Sequence, residues 1–231
     1  MIDLYTWPTP NGNKVHILLE ELKLPYKVIP ININKGDQFK KSFLKISPNN
    51  KMPAIVDTNG PSRKPISIFE SGAILIYLAE KYQKFIPKNS RGRVEVMQWL
   101  MFQMASVGPM LGQAHHFRNY APKKIPYAIN RYTNEATRIY GVINRRLSKS
   151  KFIANNSYSI ADIAIYPWIR SYLNQGQKLE DYNSLQKWYN KISERPATKR
   201  GLAVLENKRR VGPMDSKTRD ILFGKAQYNE R

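Results

Sequence analysis

The sequence contains no cysteine in its 231 residues. This absence excludes disulfide cross-links, thiolate metal ligands and a catalytic thiol belonging to the protein itself. It agrees with a reducing compartment without proving one. If thiol chemistry takes place on this chain, the sulfur must arrive on a ligand.

Long apolar runs are also missing from the chain. No stretch approaches the roughly 20 consecutive apolar residues that a membrane-spanning helix needs. The N-terminus opens on a strand-like segment, residues 1–7, without the basic and apolar regions of a secretory signal peptide. Because 42% of the residues are hydrophobic, the chain has enough apolar material for a core. We therefore expect a folded cytoplasmic protein with no membrane segment.

Acidic residues are scarce. The chain carries 38 Lys and Arg against 17 Asp and Glu, a formal net charge of +21. Such a charge steers anionic partners toward a protein. The basic residues are scattered, however, with modest concentrations at 199–200 and 208–210, and no zinc-finger or RNP-like pattern occurs. We therefore expect a solvated basic surface and no specific binding of nucleic acid.

Strand and helix patterns alternate in the first part of the chain. Apolar residues indicate a strand at 2–5, a helix over 15–22 with apolar positions at i, i+3, i+4 and i+7, and a strand at 26–31. This βαβ unit implies parallel pairing through a right-handed crossover. A short helix at 39–45, two further strands and a closing helix at 72–82 follow. The resulting order, βαβαββα, is the thioredoxin arrangement.

Two local features of this part predict a ligand site. Met52-Pro53 lies between a polar loop, residues 47–51, and a short apolar strand, residues 54–56. Further along, the strand at 66–69 turns into the closing helix through Glu70-Ser71. A strand that enters a helix in this way presents backbone N–H groups and a hydroxyl at the positive end of the helix dipole. Such an end suits a small carboxylate.

Strand patterns end after a linker at 85–90, and the remainder of the chain is predicted to be helical. The helical patterns cover residues 94–107, 127–147, 159–173 and 185–192. We therefore divide the chain into an α/β domain at 1–84, an all-helical domain at 91–206 and a basic C-terminal tail at 207–231. We expect the tail to pack loosely.

One start signal in the helical domain is clear. Ser159 and Asp162 have the spacing of a capping box, while Tyr158 and Ile163 are placed to form a hydrophobic staple. This combination predicts a buried helix that begins near residue 160. We interpret it as a folding device with no chemical role.

Together these features resemble the cytosolic glutathione transferases over nearly the whole chain. The nearer resemblance is to their nu class, the bacterial glutathione-dependent disulfide reductases. The motifs that carry it are TPNG at 9–12, SPNNKMPAI at 47–55, FESGAI at 69–74 and GPMLGQAHHF at 108–117. Each motif alone is weak evidence, but four in order at family-like spacing make the resemblance specific.

The resemblance implies a site for glutathione, as a thiol or as its disulfide, and a residue for each part of that ligand. Glu70 is expected to hold the γ-glutamyl ammonium and Ser71 the γ-glutamyl carboxylate. Met52 is expected to contact the cysteinyl part through its main chain if the Met52-Pro53 bond is cis. Gln38, on the loop after the second strand, is expected at the glycyl end.

Several residues near the first strand compete for the activation of the thiol. Glutathione transferases use a Tyr, Ser or Cys side chain there, so Tyr5, Thr6 and Thr9 are all candidates. The resemblance favours Thr9, as a hydrogen-bond donor to sulfur, together with Asn11. We expect both to lie just before a helix that begins near Asn13, whose dipole lowers the pKa of a thiol. The Pro, Asn and Gly of this motif also fit a simple turn and helix start.

The absence of cysteine favours one reaction over others. Disulfide exchange on this chain has to run between two glutathione thiols and a substrate. The resemblance implies that Arg131 contacts the second glutathione, that Gln98 reaches a ligand across a dimer interface, and that the protein is a homodimer. The alternatives are a conjugating transferase or glutathione peroxidase, and a non-enzymatic glutathione-binding protein that acts through protein contacts.

A metal site is not expected. His115 and His116 are adjacent, so they do not share a helix face, and no third ligand lies at a useful spacing. We expect both to line the mouth of the ligand cleft and His16 to be structural or exposed.

Overall fold

A computed structural model describes residues 1–210 and 212–229. The chain forms two compact units. The first unit contains residues 1–74 and the segment from residue 200 onward, and the second contains residues 75–199. The C-terminal segment therefore belongs to the same unit as the N-terminal sheet.

The first unit is built on a four-stranded sheet with the strand order β2-β1-β3-β4. The strands are β1 (Ile2–Thr6), β2 (Tyr26–Pro30), β3 (Ala54–Asp57) and β4 (Ile66–Phe69). β1 pairs in parallel with β2 and antiparallel with β3, which in turn pairs antiparallel with β4. The helices that belong to this arrangement are α1 (Pro10–Leu22), α2 (Lys41–Leu44) and α3 (Ser71–Lys81). The predicted order βαβαββα and the thioredoxin-like fold are confirmed.

β1 and α1 both contribute buried residues to the core of the first unit. Ile2, Leu4 and Thr6 of β1 are buried, at the alternate positions that point to one face of a strand. Along α1, the apolar positions found in the sequence are buried as well, although the polar residues between them are also enclosed. Because the helix is covered nearly all round, the polar side chains at its start are held in the interior.

The first helix begins earlier than the sequence pattern indicated. α1 starts at Pro10 and is capped by Thr9, whose Oγ1 accepts a hydrogen bond from the Gly12 N–H at 3.3 Å. Proline suits the first helical position because an N–H at that position has no acceptor within the helix, so its absence costs no hydrogen bond. The expected start near Asn13 is therefore wrong: Thr9 is the cap, and Asn11 is the second residue of the helix.

The second unit is all-helical, as predicted. It contains the second part of α3, then α4 (Ser90–Phe102), a π-helical turn (Gln103–Val107), α5 (Gly108–Asn119), α6 (Pro126–Leu147), α7 (Ile160–Ile169) and α8 (Asn183–Ser193). The next helix, α9 (Pro196–Ala203), passes from the second unit into the first. Its first residue is a proline, which suits the first position of a helix.

The predicted capping box is present at the start of α7. Asp162 is fully buried, and its Oδ2 accepts hydrogen bonds from the Ser159 N–H at 3.0 Å and the Ser159 hydroxyl at 3.1 Å. Its Oδ1 accepts from the Ile153 N–H and from the Trp188 indole, both at 2.9 Å. One carboxylate therefore ties the start of α7 to the preceding loop and to α8.

The C-terminal segment is more ordered than expected. A further helix, α10 (Ser216–Phe223), is capped by Asp215, which accepts a hydrogen bond from the Thr218 N–H at 2.7 Å. This helix packs on the 3-10 turn Ile33–Lys35, and Thr218 is buried. The expectation of loose packing is therefore wrong for this helix. Residues 211, 230 and 231 of the predicted tail lie outside the described residues.

Within the described ranges, no helix combines the length and the apolar character that crossing a bilayer requires.

Candidate functional site

The junction between β4 and α3 has an unusual backbone. Glu70 joins the two elements with a φ of 68°, in the left-handed region that residues other than glycine seldom occupy. Its carbonyl oxygen accepts the first hydrogen bond of α3, from the Ile74 N–H at 3.0 Å. Such conformations cost free energy and often mark functional sites. Ser71 follows as the first helical residue and is only 6% exposed.

The loop before Pro53 contacts this junction. The Asn49 side-chain amide donates a hydrogen bond to the Glu70 carboxylate at 3.2 Å. The Met52-Pro53 peptide bond at the end of the loop is cis. The loop that leads to Met52-Pro53 and the Glu70-Ser71 junction, both singled out in the sequence, are therefore linked by this hydrogen bond. Asn49 is a link that the sequence analysis missed, although it lies within a quoted motif.

The start of α1 joins the same group. The Thr9 hydroxyl donates to the Met52 sulfur at 3.5 Å, while its oxygen accepts from the Gly12 N–H. Asn11, the second residue of the helix, is partly buried. The fold thus brings Thr9 next to the residue before the cis proline, 43 positions along the chain.

The two rival candidates for thiol activation make contacts with residues of the interior. The Tyr5 ring lies 6.2 Å from the Phe43 ring and packs on the core cluster that includes Met52. Burial and the charge of Asp3 raise the pKa of Tyr5. Thr6 is fully buried and shares a hydrogen bond of 2.8 Å with His16 Nε2. Tyr5 therefore packs against the core in this structure.

His16 is a structural residue of the interior. Burial lowers its pKa to about 4, so the imidazole is neutral near pH 7. Of the two alternatives expected for His16, structural or exposed, the structure shows the first, since His16 is fully buried. Its hydrogen bond also ties Thr6 to the core.

Gln38 lies deeper than its predicted role implies. It is 3% exposed, in a 3-10 turn at Asp37–Phe39, and its side-chain amide donates to the Ile33 carbonyl at 3.2 Å. Its Oε1 is buried and has no hydrogen-bond partner among the described residues. Gln38 therefore holds the loop that follows β2, and its contact with a ligand stays a prediction.

Lys14 is a polar residue of this region that the sequence analysis overlooked. It is 1% exposed, and its ammonium donates to the Ser71 hydroxyl oxygen at 3.2 Å. Burial lowers the pKa of Lys14 to about 7, against the opposing charge of Glu70. The burial of Lys14 could have been predicted from the sequence, because Lys14 lies four residues before Leu18 and therefore on the apolar face of α1.

The residues predicted in the second unit lie on exposed helix faces. Gln98 is exposed on α4 and Arg131 on α6. Hydrogen bonds from Arg138, at 2.9 and 2.6 Å, lower the pKa of Glu135, and the charge of Arg131 adds to the effect. The roles predicted for Gln98 and Arg131 toward a ligand stay predictions.

The two adjacent histidines of α5 have aromatic neighbours. The His115 ring stacks on the Tyr120 ring at 4.7 Å, and the His116 ring packs edge-on against Phe117 at 5.2 Å. Burial lowers the pKa of His116. Throughout residues 1–210 and 212–229, no three His, Asp or Glu side chains are grouped so that they could hold a metal ion.

Two family models match the chain. Residues 1–80 match the glutathione S-transferase N-terminal domain, and residues 117–196 match the glutathione S-transferase C-terminal domain. Among curated proteins, disulfide-bond oxidoreductase YfcG of Escherichia coli K12 is 49% identical over 207 residues, covering 89% of this chain and 95% of YfcG. Disulfide-bond oxidoreductase YghU of the same organism is 43% identical, covering 93% of this chain and 77% of YghU.

Solved structures of glutathione transferases are also similar to this chain. A glutathione transferase family member from Pseudomonas fluorescens pf-5, with two glutathione bound, is 43% identical with a TM-score of 0.83, covering 87% of this chain and 92% of that one. A glutathione transferase from Pseudomonas putida, with one glutathione disulfide bound per subunit, is 41% identical with a TM-score of 0.83. In that case the match covers 88% of this chain and 91% of the other.

The start of α1 yields a stability prediction. A Cβ added to Gly12 would lie 2.2 Å from the Trp7 carbonyl oxygen and 2.8 Å from the Thr6 hydroxyl. Because backbone cannot move aside cheaply, Gly12→Ala should lower the free energy of unfolding by about 3 kcal/mol or more. The measurement is thermal or urea unfolding. Gly141→Ala is the control: its Cβ meets only the end of the Arg145 side chain, so it should be neutral or slightly stabilising. Equal stabilities for the two variants would contradict the prediction.

Proposed function

Because the chain belongs to the glutathione S-transferase family, we propose that it is a glutathione-dependent disulfide-bond reductase of the nu class. One observation carries this proposal: residues suited to hold a thiol-bearing tripeptide are assembled on a chain that has no cysteine of its own. The two Escherichia coli relatives named as disulfide-bond oxidoreductases support the same reaction.

The proposed binding roles follow the charges of glutathione. The exposed Glu70 carboxylate, oriented by Asn49, takes the γ-glutamyl ammonium. Ser71 and the first N–H groups of α3 take the γ-glutamyl carboxylate, since these N–H groups have no acceptor within the helix. The main chain of Met52 meets the cysteinyl part, and Gln38 serves the glycyl end. Reduced glutathione and its disulfide share the γ-glutamyl groups, so both forms fit these residues.

Thr9 is proposed to stabilise the glutathione thiolate. Its oxygen accepts from the Gly12 N–H, and its own hydrogen is donated to the Met52 sulfur in this structure. A thioether is a weak acceptor, and a thiolate is a far better one. Asn11 adds an amide in the first turn of the same helix, whose dipole also favours the thiolate.

The proposed reaction uses two glutathione molecules. The first thiolate attacks one sulfur of the substrate disulfide, breaks the S–S bond and releases one substrate thiolate, which takes up a proton. The second thiolate then attacks the glutathione sulfur of the mixed disulfide and releases the other substrate thiol. Glutathione disulfide is the oxidised product, so electrons balance without a protein cysteine.

The second unit has proposed roles in this reaction as well. Arg131, exposed on α6, supplies a positive charge for the second glutathione, whose carboxylates it can bind in a bidentate manner. Gln98 reaches a ligand of the partner in a homodimer. The reaction suits the reducing conditions of the cytoplasm, where thiols are kept reduced.

The test of the proposed reaction compares three activities of one protein sample. With reduced glutathione, the protein should reduce a small dialkyl disulfide and form one glutathione disulfide per substrate disulfide. Conjugation of an aromatic electrophile and reduction of an organic hydroperoxide should be slow by comparison. Faster conjugation or peroxide reduction would replace the proposed activity. Binding of glutathione without any of the three would favour a protein that acts through contacts alone.

The roles at the start of α1 can be separated by substitution. Thr9→Val removes the donor to sulfur and should lower turnover at least about tenfold, while glutathione disulfide binding weakens less. Asn11→Ala should act in the same direction. Thr9→Ser is the matched control, since it keeps both the cap and the hydroxyl, and it should stay near wild type. Tyr5→Phe should also have little effect because Tyr5 packs on Phe43.

The pH profile gives a second check on Thr9. Loss of a donor to the thiolate should raise the apparent pKa of the rate profile in Thr9→Val. If Tyr5→Phe abolishes turnover while Thr9→Val and Asn11→Ala stay near wild type, the proposed activation is wrong.

The proposed homodimer has a testable surface. α4 exposes Val94 by 57% and Met101 by 44%, and with Gln98 these residues fall on one helix face. We expect a second copy of the chain to cover this face. Sedimentation of a Val94→Lys, Met101→Lys double variant should show monomers, whereas Gln113→Lys on α5 should leave the dimer intact. A wild-type monomer at micromolar concentration, or a double variant that stays dimeric, would contradict this interface.

A further inference from the structure

The sulfur of Met52 lies beside the start of α1. The Thr9 hydroxyl donates to it at 3.5 Å, in a contact that is only partly buried. The Met52 ε-methyl lies beside Gly12, at 3.2 Å from the position that a Cβ on that residue would take. Because the Thr9 hydroxyl and the Met52 sulfur are paired, a chemical change at the sulfur changes the state of the hydroxyl.

The side chain of Met52 lies at the edge of an apolar cluster in the first unit. The buried members of this cluster are Trp7, Ile31, Phe43, Met52 and Ala54. Met52 is the most exposed of the five, with 9% of its surface open to solvent. A small oxidant can therefore reach it, although more slowly than it reaches a methionine on the surface.

A thioether reacts with a peroxide without any protein thiol. The sulfur lone pair attacks one oxygen of the O–O bond, and the bond breaks. The leaving hydroxide takes the proton of the transferred oxygen and departs as water. The sulfur gives two electrons to the peroxide and becomes a sulfoxide. Methionine sulfoxide reductases reverse the change, removing the oxygen as water while two thiols are oxidised to a disulfide.

Oxidation changes what the sulfur offers to Thr9. A thioether is a weak hydrogen-bond acceptor, whereas the sulfoxide makes the side chain polar and its oxygen accepts strongly. A polar group in an apolar cluster costs free energy unless it is hydrogen-bonded. The Thr9 hydroxyl is the donor already in contact with this sulfur, so the oxidised side chain would hold its hydrogen.

We propose that Met52 is a reversible oxidation site for hydroperoxides, and that its sulfoxide slows disulfide reduction by holding the Thr9 hydroxyl. The inference rests on the proposed function, because it takes Thr9 as the donor to the glutathione thiolate. It goes beyond that function by giving a chain without cysteine a response to peroxide.

The experiment relates turnover to the oxidation of single methionines. Wild type is treated with hydrogen peroxide, freed of it, and assayed with glutathione and a dialkyl disulfide. Peptide mass spectrometry follows each of the seven methionines. Full oxidation of Met52 should lower turnover about tenfold, as expected for Thr9→Val, with a smaller loss of affinity for glutathione disulfide. The loss should follow Met52 and not Met1 or Met101, which are 68% and 44% exposed and should oxidise first.

Variants are compared by the ratio of turnover after treatment to turnover before it, so a change in the untreated rate does not affect the result. Met52→Leu has an apolar side chain of similar volume without sulfur, and its ratio should be near one. Met214→Leu is the matched control, because Met214 is also 9% exposed, and it should lose turnover like wild type. In Thr9→Val, peroxide should have little further effect, since the donor is already absent.

A repair measurement on wild type serves if Met52→Leu does not fold. The oxidised protein is treated with the two types of methionine sulfoxide reductase, one for each sulfoxide epimer. Turnover should return as the sulfoxide at Met52 disappears.

Three results would overturn the inference while the proposed function stands. They are a Met52 that remains a thioether after Met214 has been oxidised, a Met52 sulfoxide that leaves turnover unchanged, and a repaired Met52 with turnover still low. An equal fractional loss in Thr9→Val and wild type would show that the sulfoxide does not act through Thr9. If untreated wild type does not reduce the dialkyl disulfide, the proposed function itself fails.

Discussion

The close approach of Gly12 to the end of β1 determines where the first helix begins. With hydrogen in place of a side chain, the helix can start directly beside the Trp7 carbonyl and the Thr6 hydroxyl. Thr9 then falls at the cap, where its oxygen accepts from the Gly12 N–H and its hydroxyl donates to the Met52 sulfur. Further along the same helix, Lys14 reaches the start of α3. A later start, near residue 13, would remove both arrangements.

Three hydrogen bonds connect segments that are distant in sequence. Thr9 with Met52, Asn49 with Glu70, and Lys14 with Ser71 join the start of α1, the loop before the cis proline and the start of α3. Each bond is modest on its own, at about 1 kcal/mol net. Their importance lies in position, because together they orient the residues to which the proposed function assigns the parts of glutathione. The large positive charge of the whole chain favours the approach of such anionic ligands.

Local sequence patterns predicted the features that depend only on residues close to one another in the chain. The βαβαββα order, the Glu70-Ser71 helix start and the capping box at Ser159 were all readable from spacing and residue type. The partners across the fold were not: nothing in the sequence joins Lys14 to Ser71 or Asn49 to Glu70, because such pairs depend on tertiary packing. The helix start at Pro10 was missed since Pro, Asn and Gly favour turns as strongly as helix starts.

The central claim is that the β4–α3 junction holds the γ-glutamyl end of glutathione by charge, and calorimetric titration with glutathione disulfide tests it most directly. Wild type should bind, and Glu70→Gln, which keeps the shape and removes the charge, should bind about tenfold to a hundredfold more weakly. Glu206→Gln, at an exposed carboxylate paired with Arg209, is the matched control and should leave affinity unchanged. Equal affinities for wild type and Glu70→Gln would contradict the claim.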